Sequence, residues 1–78
     1  MIKAYVLVVT SPGDTRSVLN TIKDIAGVVE IHEVMGPYDI VVEIEVDSLG
    51  DVPPILSDKI RSIPGIESTT SLVTFPEE

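Results

Sequence analysis

The chain has 78 residues, no cysteine, one histidine and five basic against thirteen acidic residues, for a formal charge of −8 at pH 7. A chain of this length makes one domain with no disulfide or thiolate metal site open to it, and its charge argues against direct binding to nucleic acid or to an anionic membrane. Its longest uncharged run, Ala4 to Gly13, falls far short of the ~20 residues of a membrane-spanning helix, and Met1-Ile2-Lys3-Ala4 lacks the regions of a signal peptide, so a soluble cytoplasmic protein is expected.

Ile2, Ala4, Val6 and Val8 alternate with Lys3, Tyr5, Leu7 and Val9, and the largely apolar character of both sets predicts a first strand over residues 2–10, buried on both faces. Ser11-Pro12-Gly13 turns the chain, and Asp14 or Thr15 is placed to cap a helix. On that helix Val18, Leu19, Ile22, Ile25 and Ala26 share one face, and Gly27 stands where helices commonly end in a left-handed residue. A second strand is expected over about Val28 to Met35 and a third over Asp39 to Asp47, joined by a turn at Gly36-Pro37-Tyr38. A hairpin about that turn sets Met35 opposite Ile40 and Ile31 opposite Ile44. Its helix-facing side then carries Val29, Ile31, Met35, Ile40, Val42, Ile44 and Val46. Its other side carries Val28, Glu30, His32, Val34, Val41, Glu43 and Glu45. Pro53-Pro54 fits only a first helical turn, which sets a second helix from about Val52 to Ser62 with Val52, Leu56, Ile60 and Ile63 inward. Pro64-Gly65 ends that helix, Ile66 to Phe75 forms the last strand, and Pro76-Glu77-Glu78 is a frayed tail.

The order of elements repeats. Ile25-Ala26-Gly27-Val28-Val29-Glu30 returns as Ile63-Pro64-Gly65-Ile66-Glu67-Ser68, each copy following a helical pattern and preceding a strand. Two strand-helix-strand units of this size predict an α+β, ferredoxin-like βαββαβ fold, a four-stranded antiparallel sheet with both helices on one face. The second face of that sheet is bare within one copy. A domain this small usually needs a staple, and with no cysteine and one histidine the staple left is self-association through that face.

The inventory for catalysis is poor. Under the hairpin register above, His32 has Glu43 as a cross-strand neighbour, and such a pair could act as a base or hold a metal in a small dimeric enzyme. A half-exposed strand histidine beside a carboxylate is the plainer account. Glu30, Glu43 and Glu45 crowd one face, where solvent or Lys3 or Arg61 across an interface would answer them. Acylphosphatases share the topology and use an arginine near the first strand-helix connection, but the glycine-rich cradle they need is absent around Thr10-Ser11-Pro12-Gly13-Asp14. No cofactor and no metal are expected.

The turn Gly36-Pro37-Tyr38-Asp39, set between a helix-Gly-Val-Val-Glu strand and an alternating apolar strand, is more specific. Together with Ile63-Pro64-Gly65-Ile66, Thr69-Thr70-Ser71-Leu72-Val73 and the opening Ala4-Tyr5-Val6-Leu7-Val8, it resembles the effector-binding domain of the leucine-responsive regulatory protein/AsnC family, the amino-acid-metabolism regulation domain. The likeness runs over about residues 2 to 76 and marks residues 1–78 as a stand-alone form of that domain, without the helix-turn-helix domain of family members that regulate transcription. It implies a homodimer packed through the bare sheet faces, assembly into an octamer or similar ring, an amino acid effector bound where dimers meet, and association with full-length regulators of the family. It also implies site residues. Gly36 would let the main chain approach the ligand and Tyr38 would wall the pocket. Asp39 would hold the α-amino group or fix the turn, while Thr69 and Ser71 would offer hydroxyls. A purely structural assembly module is the remaining reading.

Overall fold

The computed structural model describes residues 2–74. Its elements run β1 (Ile2–Thr10), α1 (Thr15–Ile22), β2 (Val28–Glu33) and β3 (Ile40–Val46). A 3-10 turn (Leu49–Asp51), a single α-helical turn α2 (Val52–Pro54) that widens into a π-helical stretch (Ile55–Ile60), and β4 (Ile66–Val73) complete the chain. The sheet order is β2-β3-β1-β4 with every neighbouring pair antiparallel. This is the ferredoxin-like arrangement expected from the doubled sequence. The expected end of the last strand at Phe75, and the tail after it, lie outside the described residues.

One sheet face is the core. Ala4, Val6 and Val8 of β1 and Ile40, Val42 and Ile44 of β3 are completely buried, against Val18 and Ile22 of α1 and Ile60 of the π-helical stretch. Burial on this scale contributes about 1.5–3 kcal/mol per large aliphatic side chain. On the other face Tyr5, Leu7, Val9, Val41, Glu43 and Glu45 are only half-buried. Within one chain, therefore, β1 is sealed on one side and not on both. Among the described residues, no helix is long and apolar enough to cross a membrane.

The internal repeat is present in the hydrogen bonds as well as the letters. Ile25 N–H bonds Ile22 O and Val28 N–H bonds Ile25 O, and Ile63 to Ile60 and Ile66 to Ile63 reproduce both contacts. Gly27 and Gly65 have φ of +99° and +98°, a conformation that side chains other than glycine adopt only at a cost. Each glycine also packs tightly against the other half of the molecule. A Cβ at Gly27 would meet Ile55 Cδ1 at 3.1 Å, and one at Gly65 would meet Asp14 Cβ at 3.0 Å and Val18 Cγ2 at 3.1 Å. Their carbonyls close the exchange, Gly27 accepting from Glu45 N–H and Gly65 from Ser11 N–H.

The expectations for the hairpin are corrected in three respects. The β2–β3 hairpin pairs Glu33 with Ile40 and Ile31 with Val42, two residues from the predicted register, because β2 stops at Glu33 and the connection spans residues 34–39. A slip of two keeps side chains on their predicted faces, so Ile31, Ile40, Val42, Ile44 and Val46 still face the helices. Met35 leaves the sheet altogether and is fully exposed. A bulge between Val28 and Glu30 exchanges the next pair: Val28 packs on the core and Val29 is 49% exposed, since the inserted residue shifts the alternation by one.

The helices differ in their ends. α1 stops at Ile22, leaving Ile25 half-buried in a turn and Ala26 exposed. Asp14 stands at its N-cap without a side-chain cap bond. In the second helical segment Val52, Ile55 and Ile60 are buried, with Leu56 and Ile63 packed at the margin. The prolines sit in its first turn, as their missing N–H requires. Beyond them Arg61 N–H bonds Leu56 O five residues back at 2.9 Å. That wider winding narrows the angle between Ile55 and Ile60, which five residues of an α-helix would separate by about 140° around the axis, and both are buried.

Candidate ligand-binding site

Asp39 is held in place by β1. Its N–H donates to Val8 O, its own O accepts from Val34 N–H, and its Oδ2 accepts from the Thr10 N–H at 2.9 Å and the Thr10 hydroxyl at 3.3 Å. The Thr10 and Thr15 hydroxyls share a further hydrogen bond at 2.6 Å, tying this end of β1 to the start of α1. Through these contacts Asp39 ties the turn to β1. Tyr38 is half-buried beside it, and Gly36 faces open space, with nothing within 4 Å of an added Cβ.

Thr69 and Ser71 lie across β1 from this turn. On β4 they pair with Val8 and Val6, which places them on the helix side of the sheet, Thr69 half-buried and Ser71 exposed. β1 separates β3 from β4, so by strand spacing the two groups stand roughly 10 Å apart. A single chain does not bring Gly36, Tyr38, Asp39, Thr69 and Ser71 into one cluster.

Thr69 instead belongs to an open cleft of about 390 Å³ between the end of the second helical segment and β4, lined by Arg61, Ile66, Glu67, Ser68 and Thr69. Arg61 Nε donates to Thr69 Oγ1 at 3.2 Å. Sequence reasoning passed over Arg61, Glu67 and Ser68 as site residues. Arg61 is the C-cap residue of its segment and stands in the repeat where Lys23 caps α1, and a cation at a helix C-terminus is ordinary without any ligand. The stronger signal was its proximity in sequence to the Thr-x-Ser strand.

His32 and Glu43 do not form the expected pair. In the observed register His32 opposes Val41 and Glu43 opposes Glu30. The imidazole Nε2 lies 3.0 Å from Glu30 Oε1, and the side chain is 64% exposed on the open face. Glu43 is answered by Lys3, Nζ to Oε2 3.3 Å, within the same chain. That contact raises the Lys3 pKa above its ordinary value, chiefly through the hydrogen bond to Glu43 and then its charge. No group of three or more potential metal ligands occurs among the described residues.

Residues 3–77 match the Lrp/AsnC ligand binding domain. The chain belongs to that family. An uncharacterised HTH-type transcriptional regulator of Pyrococcus abyssi is 31% identical over 75 residues, an alignment covering 92% of this chain and 50% of that protein. The chain thus spans about half the length of the curated relatives it matches. Among solved structures, a hypothetical protein from Pyrococcus horikoshii is 34% identical with a TM-score of 0.91, covering 99% of this chain and 93% of that one. A second solved structure, of a protein from Thermus thermophilus, superposes with a TM-score of 0.94 at 27% identity over 100% of this chain and 98% of its own. Membership makes this Lrp/AsnC domain a regulatory effector-binding module whose homologues are transcriptional regulators.

Proposed function

We propose that this Lrp/AsnC domain is a non-catalytic, cytoplasmic sensor of an amino acid, and that it works as an assembly of its own copies. The observation that carries the reading is the half-covered sheet face of Tyr5, Leu7, Val9 and Val41 in a chain of the ligand-binding family. Packing that face on a second copy removes apolar surface from water and supplies the staple a 78-residue domain otherwise lacks. Dimers then associate into a ring, an octamer or one of similar size. There the Gly36-Tyr38-Asp39 turn of one protomer meets the Thr69–Ser71 strand of another, and the effector lies between them. The separation of the two groups within a protomer supports such a shared site. Asp39 acts by holding the turn, Tyr38 as a wall, Gly36 by admitting the main chain, and Thr69 and Ser71 through their hydroxyls. Full-length regulators of the family are the partners that such a module would modulate, ligand binding shifting the equilibrium between assemblies. With its charge of −8, this domain leaves contact with nucleic acid to those partners.

Isothermal calorimetry with each of the twenty amino acids, on the wild type and on Asp39→Ala, is the test, together with the mass in solution with and without an amino-acid mixture. An oligomer that binds one or a few amino acids supports the reading. A lone subunit stable at high dilution that binds none of them removes it.

A further inference from the structure

The cleft beside β4 has a chemistry that the hairpin turn lacks. It is lined by one cation, Arg61, and one anion, Glu67, together with Ile66, Ser68 and Thr69. Arg61 and Glu67 share this cleft, yet among the described residues neither forms an ion pair with the other or with any further charged group. The Arg61 guanidinium is turned toward the strand by its Nε bond to Thr69. A guanidinium anchored at Nε still offers donors for a carboxylate, and this planar fork is the side chain best matched to one. A cation and an anion lining one cleft, beside polar and aliphatic neighbours, complement a small zwitterion better than a simple anion, which Glu67 would repel.

We propose that this cleft holds the charged ends of the effector, Arg61 binding the α-carboxylate and Glu67 the α-ammonium group. The proposal rests on the amino-acid reading above. It moves recognition of the charged ends away from Asp39, whose carboxylate is engaged by Thr10, to two residues outside the expected site.

The chain has two arginines, Arg16 and Arg61, so their Nε–H resonances are resolved by nuclear magnetic resonance and assigned with Arg61→Lys. The full chain is titrated with each of the twenty L-amino acids. The tightest binder is then compared with its des-amino acid and its decarboxylated amine. The Arg61 Nε–H signal is expected to shift with the amino acid and the des-amino acid and to ignore the amine. Arg61→Gln weakens the amino acid at least tenfold with an unchanged thermal midpoint, and Glu67→Gln weakens the amino acid but not the des-amino acid. Amino-acid binding that leaves the Arg61 signal and the Arg61→Gln affinity unaltered overturns the proposal and leaves the amino-acid reading standing. No binding by any of the twenty overturns both.

Discussion

The Asp39 carboxylate accepts from both the main-chain N–H and the hydroxyl of Thr10, through a single oxygen, Oδ2, at 2.9 and 3.3 Å. Thr10 is 6% exposed, so loss of this acceptor strands a nearly buried donor. Asp39→Ala is expected to destabilise the domain by about 1–3 kcal/mol, read as a lower midpoint in urea at unchanged slope. Thr15→Val, which removes only the hydroxyl partner of Thr10, should cost less. An Asp39→Ala variant as stable as the wild type would show that the turn does not depend on this contact.

Gly65 and Gly27 make a matched pair for testing the repeat. Both require positive φ, but the Cβ of alanine at Gly65 meets Asp14 Cβ, an atom fixed to the backbone, while at Gly27 it meets the far end of the Ile55 side chain. Both substitutions should destabilise, by about 1–3 kcal/mol for the backbone conformation. Gly65→Ala is expected to be the worse of the two in thermal denaturation. Equal effects would mean that the close approach at Gly65 relaxes freely.

The Lys3–Glu43 contact predicts a pH dependence at the alkaline end. Because the folded Lys3 pKa is raised, the stabilisation is fully present below the unfolded lysine value of about 10.4. It is lost as pH rises through the folded value above that. The difference in denaturation midpoint between wild type and Glu43→Gln should therefore be constant near neutrality and shrink above about pH 10.5. Lys3 is solvent-exposed, so high salt should shrink the difference as well.

Leu7 lies in the middle of β1 on the open face, between Val41 of β3 and Thr70 of β4. Leu7→Glu places a charge where a second copy is proposed to pack, and an unpaired buried charge is strongly disfavoured. Sedimentation should then show the mass of a single chain, with far-ultraviolet circular dichroism unchanged. Retention of the oligomer would move the interface elsewhere on the domain.

Much of the architecture was legible in the letters. The doubled Ile-x-Gly segments announced two equivalent units, and glycine is demanded at both because each unit turns at positive φ against the other. The alternation of Ile40, Val42, Ile44 and Val46 identified the core face of β3 correctly. The Pro53-Pro54 pair correctly marked a helix start. Membership of the family was legible from the order of four short motifs, none decisive alone.

Register and site were decided only by the tertiary structure, because strand alternation has a period of two. It specifies which face a side chain takes but not which partner stands opposite, so a slip of two residues left no trace in the pattern of β2 and still parted His32 from Glu43. The exposure of Met35 follows from β2 ending its pairing at Glu33, and that of Val29 from the bulge between Val28 and Glu30; both are settled by pairing with β3 and not by the alternation of β2 itself. Arg61 and Glu67 face one cleft because a π-helical stretch ends beside an edge strand, a meeting that local sequence spacing does not encode.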